Sequence, residues 1–148
     1  MGIQTKNIIN NIHEIDWNEV IKNIKKSDPK KKRNPDFWDK RAPSFADHVS
    51  KSIYSDLFLK ILDPDPDWTV LDMGCGGGTI ALPLASRVKH ITAVDFSPKM
   101  IEILNKETSR QEIKNIKTIE ADWTDNWVEK GIGTYDVAIA SRSLAVDD

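Results

Sequence analysis

The chain is poor in cysteine: Cys75 is the one thiol among 148 residues. A lone cysteine excludes an internal disulfide, and a zinc-type site needs more soft ligands, so no metal is expected. Long hydrophobic runs are also missing. None approaches the ~20 apolar residues of a spanning helix, so no membrane partner is expected. Residues Met1 to Lys6 lack the basic-then-apolar order of an export signal. Gly2 starts like a myristoylation motif, but Lys6 stands where that motif wants Ser or Thr. A cytoplasmic location is the resulting expectation. Charge of one sign is not in excess: 21 Lys and Arg face 23 Asp and Glu, for a net charge of −2. That balance argues against nucleic acid as a partner. There is no internal repeat and no low-complexity tract.

What is present is an ordinary globular composition, 39% hydrophobic and 30% charged. The length suits one structural unit. Ile8, Ile12, Ile15, Ile21 and Ile24 recur at near-helical spacing and predict an amphipathic helix, or two short ones, ending before Pro29. The basic run Lys30 to Arg33 follows, and reads as a solvated linker with RNA contact as its alternative. Between 35 and 63 the pattern predicts two helices. Asn34 is the expected N-cap and Pro35 the first residue of the first, which carries Phe37, Trp38, Arg41, Phe45 and Val49. The second carries Ile53, Leu57 and Ile61 as an apolar stripe, with Tyr54 and Phe58. Asp63-Pro64-Asp65-Pro66-Asp67 cannot continue a helix, and divides a helical region at 1–63 from a second region at 64–148.

The second region alternates strand and helix. Strands are expected at 68–72, 90–95, 116–120 and 135–140. Helices are expected from Thr79 to Val88, with Pro83 removing a bond, and from the Ser97 cap with Pro98 to about Ser109. This order predicts an α/β fold with a doubly wound, mainly parallel sheet.

Asp72-Met73-Gly74-Cys75-Gly76-Gly77-Gly78 follows the first strand and opens a helix. A backbone that turns tightly and approaches a ligand closely cannot carry β-carbons. The helix start is expected to add unpaired N–H donors for polar ligand atoms. The alternative is a tight turn without ligand. A dinucleotide fingerprint would need a third glycine at 79, where Thr79 stands, which disfavours a nicotinamide oxidoreductase. Asp95 closes the second strand, placed to accept both ribose hydroxyl hydrogens; otherwise it is an acid stabilised at a helix N-terminus. Asp122 follows the third strand and can accept from an adenine amino group. Trp123 can stack on the base, whereas Trp127 reads as a loop aromatic.

Val70 to Gly78 resembles the first motif of class I S-adenosylmethionine-dependent methyltransferases, and Thr92 to Met100 their second. Glu120 to Trp123 and Tyr135 to Ser141 stand where the third and fourth belong. Phe37 to Ala42 is similar to helices that many of these enzymes fold over bound cofactor. The resemblance implies a Rossmann-like methyltransferase fold, with 1–63 as an N-terminal helical cap and 64–148 as the cofactor domain. The implied cofactor is S-adenosylmethionine, held by the motif residues Asp72, Gly74, Cys75, Gly76 and Gly78. Gly74, Gly76 and Gly78 would line its methionine and ribose. Asp95 would hold the ribose, Phe96 and Met100 would border the adenine, and Asp122 and Trp123 would complete that end. Ala140 and Ser141 would lie near the methionine amine or the acceptor, and Arg41 would reach the carboxylate. Ser141-Arg142-Ser143 departs from the Asn/Asp-Pro-Pro-Tyr pattern of nucleic-acid amino-methyltransferases, so a small-molecule acceptor is favoured, of unidentified structure. A base is needed only if the acceptor arrives protonated. Asp47, His48, Ser141 and Arg142 are the available groups, and no catalytic residue is assigned.

Class I folds continue past a fourth strand, and the last residue here is Asp148. The fold is therefore expected to be truncated after that strand. Its apolar edge, Val137 to Ala140, is expected to be covered by missing C-terminal sequence, a second copy or a partner chain. The competing reading is a non-catalytic cofactor-binding module that works through a partner.

Overall fold

A computed structural model describes residues 35–43, 53–141 and 143. The expectations for residues 1–34, for Phe45, Asp47, His48 and Val49, and for Arg142 lie outside them. Two helices precede the sheet: α1, Pro35–Asp39, and α2, Ile53–Leu62. Strand β1, Thr69–Met73, leads into α3, Ala81–Leu84, which tightens into a 3-10 turn at Ala85–Arg87. Strand β2, His90–Asp95, is followed by α4, Pro98–Arg110. Strand β3, Ile116–Glu120, and strand β4, Val137–Ile139, complete the order.

The strands form one parallel sheet in the order β3-β2-β1-β4. Connections run outward from β1 to β3 on one side and return to β4 on the other. The switch point lies between β1 and β4, where a doubly wound sheet opens a crevice at its carboxyl ends. Asp72 pairs with Ala93 of β2 and Ile139 of β4 in register, which places it at that crevice. In the described sheet β4 is an edge strand.

Alternation along β1 builds a core on both faces. Val70 joins Leu59 of α2, Leu84 of α3, and Ile91, Leu104 and Ile139. Leu71 joins Val94, Ala121 and Ile132, with Trp127 and Tyr135 against them. The connection 121–135 therefore covers the second face. At the amino end, Asp136 Oδ2 accepts from the Thr69 amide at 2.8 Å and its hydroxyl at 2.7 Å, which pins β4 to β1.

Local chemistry explains the helix that follows β2. Ser97 is extended, accepts from the Met100 amide, and has Pro98 after it, as an N-cap should. Four expectations need correction. The helix after the glycines is shorter than 79–88, because Pro83 removes a bond from so short a helix. β1 starts one residue later than Trp68, and β4 is confined to 137–139. Ile53, Leu57 and Ile61 are 87%, 55% and 76% exposed. The face of α2 that packs on the core is the one bearing Tyr54, Phe58, Leu59 and Leu62. Among the described residues no helix is long and apolar enough to cross a membrane.

Candidate functional site at the glycine turn

The chain leaves β1 through a turn that only glycine accepts at two points. Gly74 has φ +70°, and a Cβ there would overlap Ser143. Gly78 has φ +94°, and a Cβ there would lie 2.5 Å from Leu104 Cδ1 and 3.0 Å from Leu82 Cγ. Packing of the turn onto α4 thus explains Gly78. Gly76 differs: with φ +54°, its nearest neighbour to a Cβ would be Met100 Sδ at 4.0 Å. The turn is open at Gly76.

The turn's amides are largely committed. Gly74 and Cys75 N–H both donate to Val94 O, at 2.7 and 3.0 Å, and Gly78 N–H donates to Cys75 O at 3.1 Å. Gly76 N–H donates to Asp95 Oδ2 at 2.8 Å. The amides of Gly74, Cys75 and Gly76 thus bind the neighbouring strand, and that of Gly78 closes the turn on itself.

Asp95 is buried, with Oδ2 on the Gly76 amide and Oδ1 accepting from the Ser97 amide at 2.9 Å. Burial pushes its carboxyl above the usual range. The amides of Ser97, Gly76 and Phe96 work against that shift, and the charge of Asp39 adds to it. Each oxygen retains a lone pair for a further donor. Asp72 is 2% exposed, and its Oδ2 has no hydrogen-bond partner. Burial first, then the Asp95 carboxylate, raises it to about 7. Cys75 is buried with them, and burial and the two carboxylates push its thiol well up, so it is not a nucleophile.

Asp72, Cys75, Gly76, Asp95 and Met100 therefore form one cluster. On the β4 side, Ser143 packs on Gly74, and its hydroxyl is buried without a partner. Ser141 Oγ lies 2.6 Å from the Tyr54 hydroxyl, so the segment after β4 closes on α2. On the β3 side, the Ala121 amide donates to Asp95 O at 3.0 Å, which brings Asp122 and Trp123 to the same end of the sheet. Asp122 Oδ1 accepts from both the amide and hydroxyl of Thr124, so one oxygen is engaged in a local turn. Trp123 is half exposed, with its ring 5.8 Å from that of Trp127. Phe96 and Ala140 are half-buried. Arg41 is exposed, its guanidinium 4.0 Å over the Phe37 ring. Two participants had no signal in the sequence. Tyr54 stood in an apolar stripe, and Asp39 stood unremarked within the Phe37 to Ala42 run.

The set of acceptors fits a polar, positively charged ligand. Two buried carboxylates converge, one with an orphaned oxygen, beside a glycine whose missing Cβ leaves the turn open. Comparison with known proteins agrees. The family model described as a methyltransferase domain matches residues 70–148. An uncharacterized protein of Haemophilus influenzae is 35% identical over 113 residues, covering 75% of this chain and 41% of that protein. The 23S rRNA (uracil(1939)-C(5))-methyltransferase RlmD of Vibrio parahaemolyticus is 38% identical over 64 residues, covering 43% of this chain and 15% of that enzyme. Among solved structures, coclaurine N-methyltransferase bound to N-methylheliamine and SAH superposes with a TM-score of 0.52 at 28% identity, over 59% of this chain and 26% of that one. The chain spans less than half the length of these relatives.

Proposed function

The chain belongs to the class I S-adenosylmethionine-dependent methyltransferases, and on that premise we propose that it binds S-adenosylmethionine at the glycine turn for methyl transfer to a small-molecule acceptor. The observation that carries this reading is the bond from the Gly76 amide to Asp95. It holds the acid of β2 against the open point of the turn, with lone pairs left for vicinal hydroxyls.

Asp95 would hold the ribose, with Gly74 and Gly76 along the methionine and ribose. Asp72 and Cys75 would form the floor beneath them, and Gly78 would set the turn's packing. Phe96, Met100, Asp122 and Trp123 would enclose the base. Ala140 and Ser141 would face the methyl end, and Arg41 the carboxylate. Helices α1 and α2 would belong to the cap. A bound S-adenosylmethionine supplies the activation, a methyl group on a sulfonium. The protein's task is then alignment and exclusion of water. Asp72 and Asp95 supply negative potential at a site shielded from solvent, where it acts strongly on a cation. The acidic net charge and the Ser141-Arg142-Ser143 sequence support a small acceptor over RNA.

Calorimetric titration of the chain with S-adenosylmethionine, S-adenosylhomocysteine and NAD tests the cofactor. Binding of the first two, absence of NAD binding, and at least tenfold weakening in Asp95→Ala are expected, since two hydrogen-bonded amides and the ribose acceptor are lost together. Equal affinity for NAD, or an Asp95→Ala variant that binds like the parent, would refute it. Tritiated methyl transfer into extracted metabolites, against extracted RNA, separates the two acceptor classes.

A further inference from the structure

The cofactor reading concerns the cluster around Gly76, and a short polar contact reaches the turn beside that cluster from outside it. Asp39, the last residue of α1, reaches the turn between β2 and α4. Its Oδ1 accepts from the Ser97 hydroxyl at 2.6 Å and faces the Lys99 amide at 3.4 Å. Ser97 is fully buried, and its Oγ also accepts from the Met100 amide at 3.2 Å. The Ser97 amide in turn donates to Asp95 Oδ1, whose other oxygen takes the Gly76 amide. A continuous relay thus runs from α1 through Ser97 and Asp95 to the open glycine. α1 itself packs on α4.

We propose that Asp39 is a positioning residue: it clasps α1 onto the β2–α4 turn and, through Ser97, fixes the Asp95 carboxylate in the orientation that receives the cofactor. This rests on the cofactor reading above.

The physical case has three parts. A buried serine hydroxyl has one proton, and Ser97 spends it on a carboxylate, the stronger class of hydrogen bond. An acid at the start of a 13-residue helix is favoured by the helix dipole, which gives Asp39 reason to stay there. With the hydroxyl rotor and the Met100 cap both fixed, the backbone from 95 to 97 has little freedom, and Asp95 inherits that rigidity. Without Asp39, the Ser97 proton is buried with no acceptor, and the turn must rearrange to satisfy it.

The charge of Asp39 leaves a second mark. The charge of Asp39, from α1, presses on Asp95, and Asp95 in turn presses on Asp72 of β1 and Cys75 of the glycine turn. Asp39→Asn keeps an oxygen to accept from Ser97 but removes the negative charge that adds to burial in holding the Asp95 carboxyl up.

The test is calorimetric titration of the full chain and its Asp39→Ala and Asp39→Asn variants with S-adenosylmethionine from pH 5 to pH 8. Asp39→Ala is expected to weaken binding about tenfold at pH 7.5, one charged hydrogen bond's worth. Asp39→Asn is expected to restore affinity to within about threefold, and to move the acid limb of the binding profile to lower pH. Two variants that bind like the parent would overturn the proposal. So would equal weakening in both with an unmoved acid limb, the signature of a residue that only helps α1 fold. A parent chain that binds no cofactor overturns the reading on which this one rests. Unchanged amide exchange at Gly76 and Ser97 in Asp39→Ala would then overturn the clasp as well.

Discussion

The hydroxyls of Tyr54 and Ser141 lie 2.6 Å apart, although 87 residues separate them in the chain. One stands in the first turn of α2, the other just past β4. Their bond ties the pre-sheet helix to the segment that packs on Gly74 through Ser143. The β4 side of the site is therefore held by a side-chain contact, and the β2 side by Asp39 and Ser97. Both ends of the crevice are gripped by residues that precede the sheet.

The Tyr54–Ser141 bond should be measurable as a coupling. Tyr54→Phe and Ser141→Ala each remove one partner of a part-buried pair, and each is expected to cost about 1 kcal/mol in urea denaturation. In the double variant the second change should cost much less than it does alone, giving an interaction energy of about 1 kcal/mol. Strict additivity would mean that the bond contributes nothing to folding.

Asp72 makes stability depend on pH in an unusual direction for a carboxyl. Its folded pKa is raised from 3.8 to about 7, so the folded state binds its proton more tightly than the unfolded state does. The associated stability is fully present below pH 3.8 and is lost as pH rises through about 7. The limit of that loss is roughly 4 kcal/mol, from a shift of about three units at 1.36 kcal/mol each. Asp72→Asn stays neutral at every pH. Without cofactor its stability relative to the parent should rise by a few kcal/mol between pH 5 and pH 8. Parallel stability curves for parent and variant between these pH values would contradict the orphaned-carboxyl account. Asp95 remains in both proteins, so its own titration does not open the gap, although loss of the Asp72 charge relieves it in the same direction.

Much of this was legible along the chain, where the cause was local. Ser97 and Pro98 announce the start of α4 through their own chemistry, and β2 and β3, rich in β-branched residues, have the expected bounds. What failed was set by tertiary contact. α2 carries apolar residues around most of its circumference, so periodicity alone could not choose between Ile53, Leu57 and Ile61 and the face that packs. The bonds from the Gly74, Cys75 and Gly76 amides to Val94 and Asp95 of the neighbouring strand likewise have no local signal. The Asp39 and Tyr54 contacts span 58 and 87 residues, and no window on the sequence contains both partners.

The two glycines Gly76 and Gly78 should separate binding from folding. Both have positive φ, +54° and +94°, so an alanine is strained at either. At Gly78 the new Cβ also meets Leu104 at 2.5 Å and Leu82 at 3.0 Å, inside the core. Strain of about 1–2 kcal/mol and overpacking of about 1–3 kcal/mol combine there. Gly78→Ala should therefore lower the urea midpoint severely, and any loss of cofactor affinity should follow from unfolding. At Gly76 a Cβ finds open space, with Met100 Sδ at 4.0 Å, and only the backbone term of about 1 kcal/mol applies. Gly76→Ala should stay folded and lose S-adenosylmethionine binding by more than tenfold, because the space it fills is where the ligand approaches the backbone. Denaturation and calorimetry on the same two samples decide the matter. A folded Gly76→Ala that binds with parental affinity would move the cofactor away from the open point of the turn.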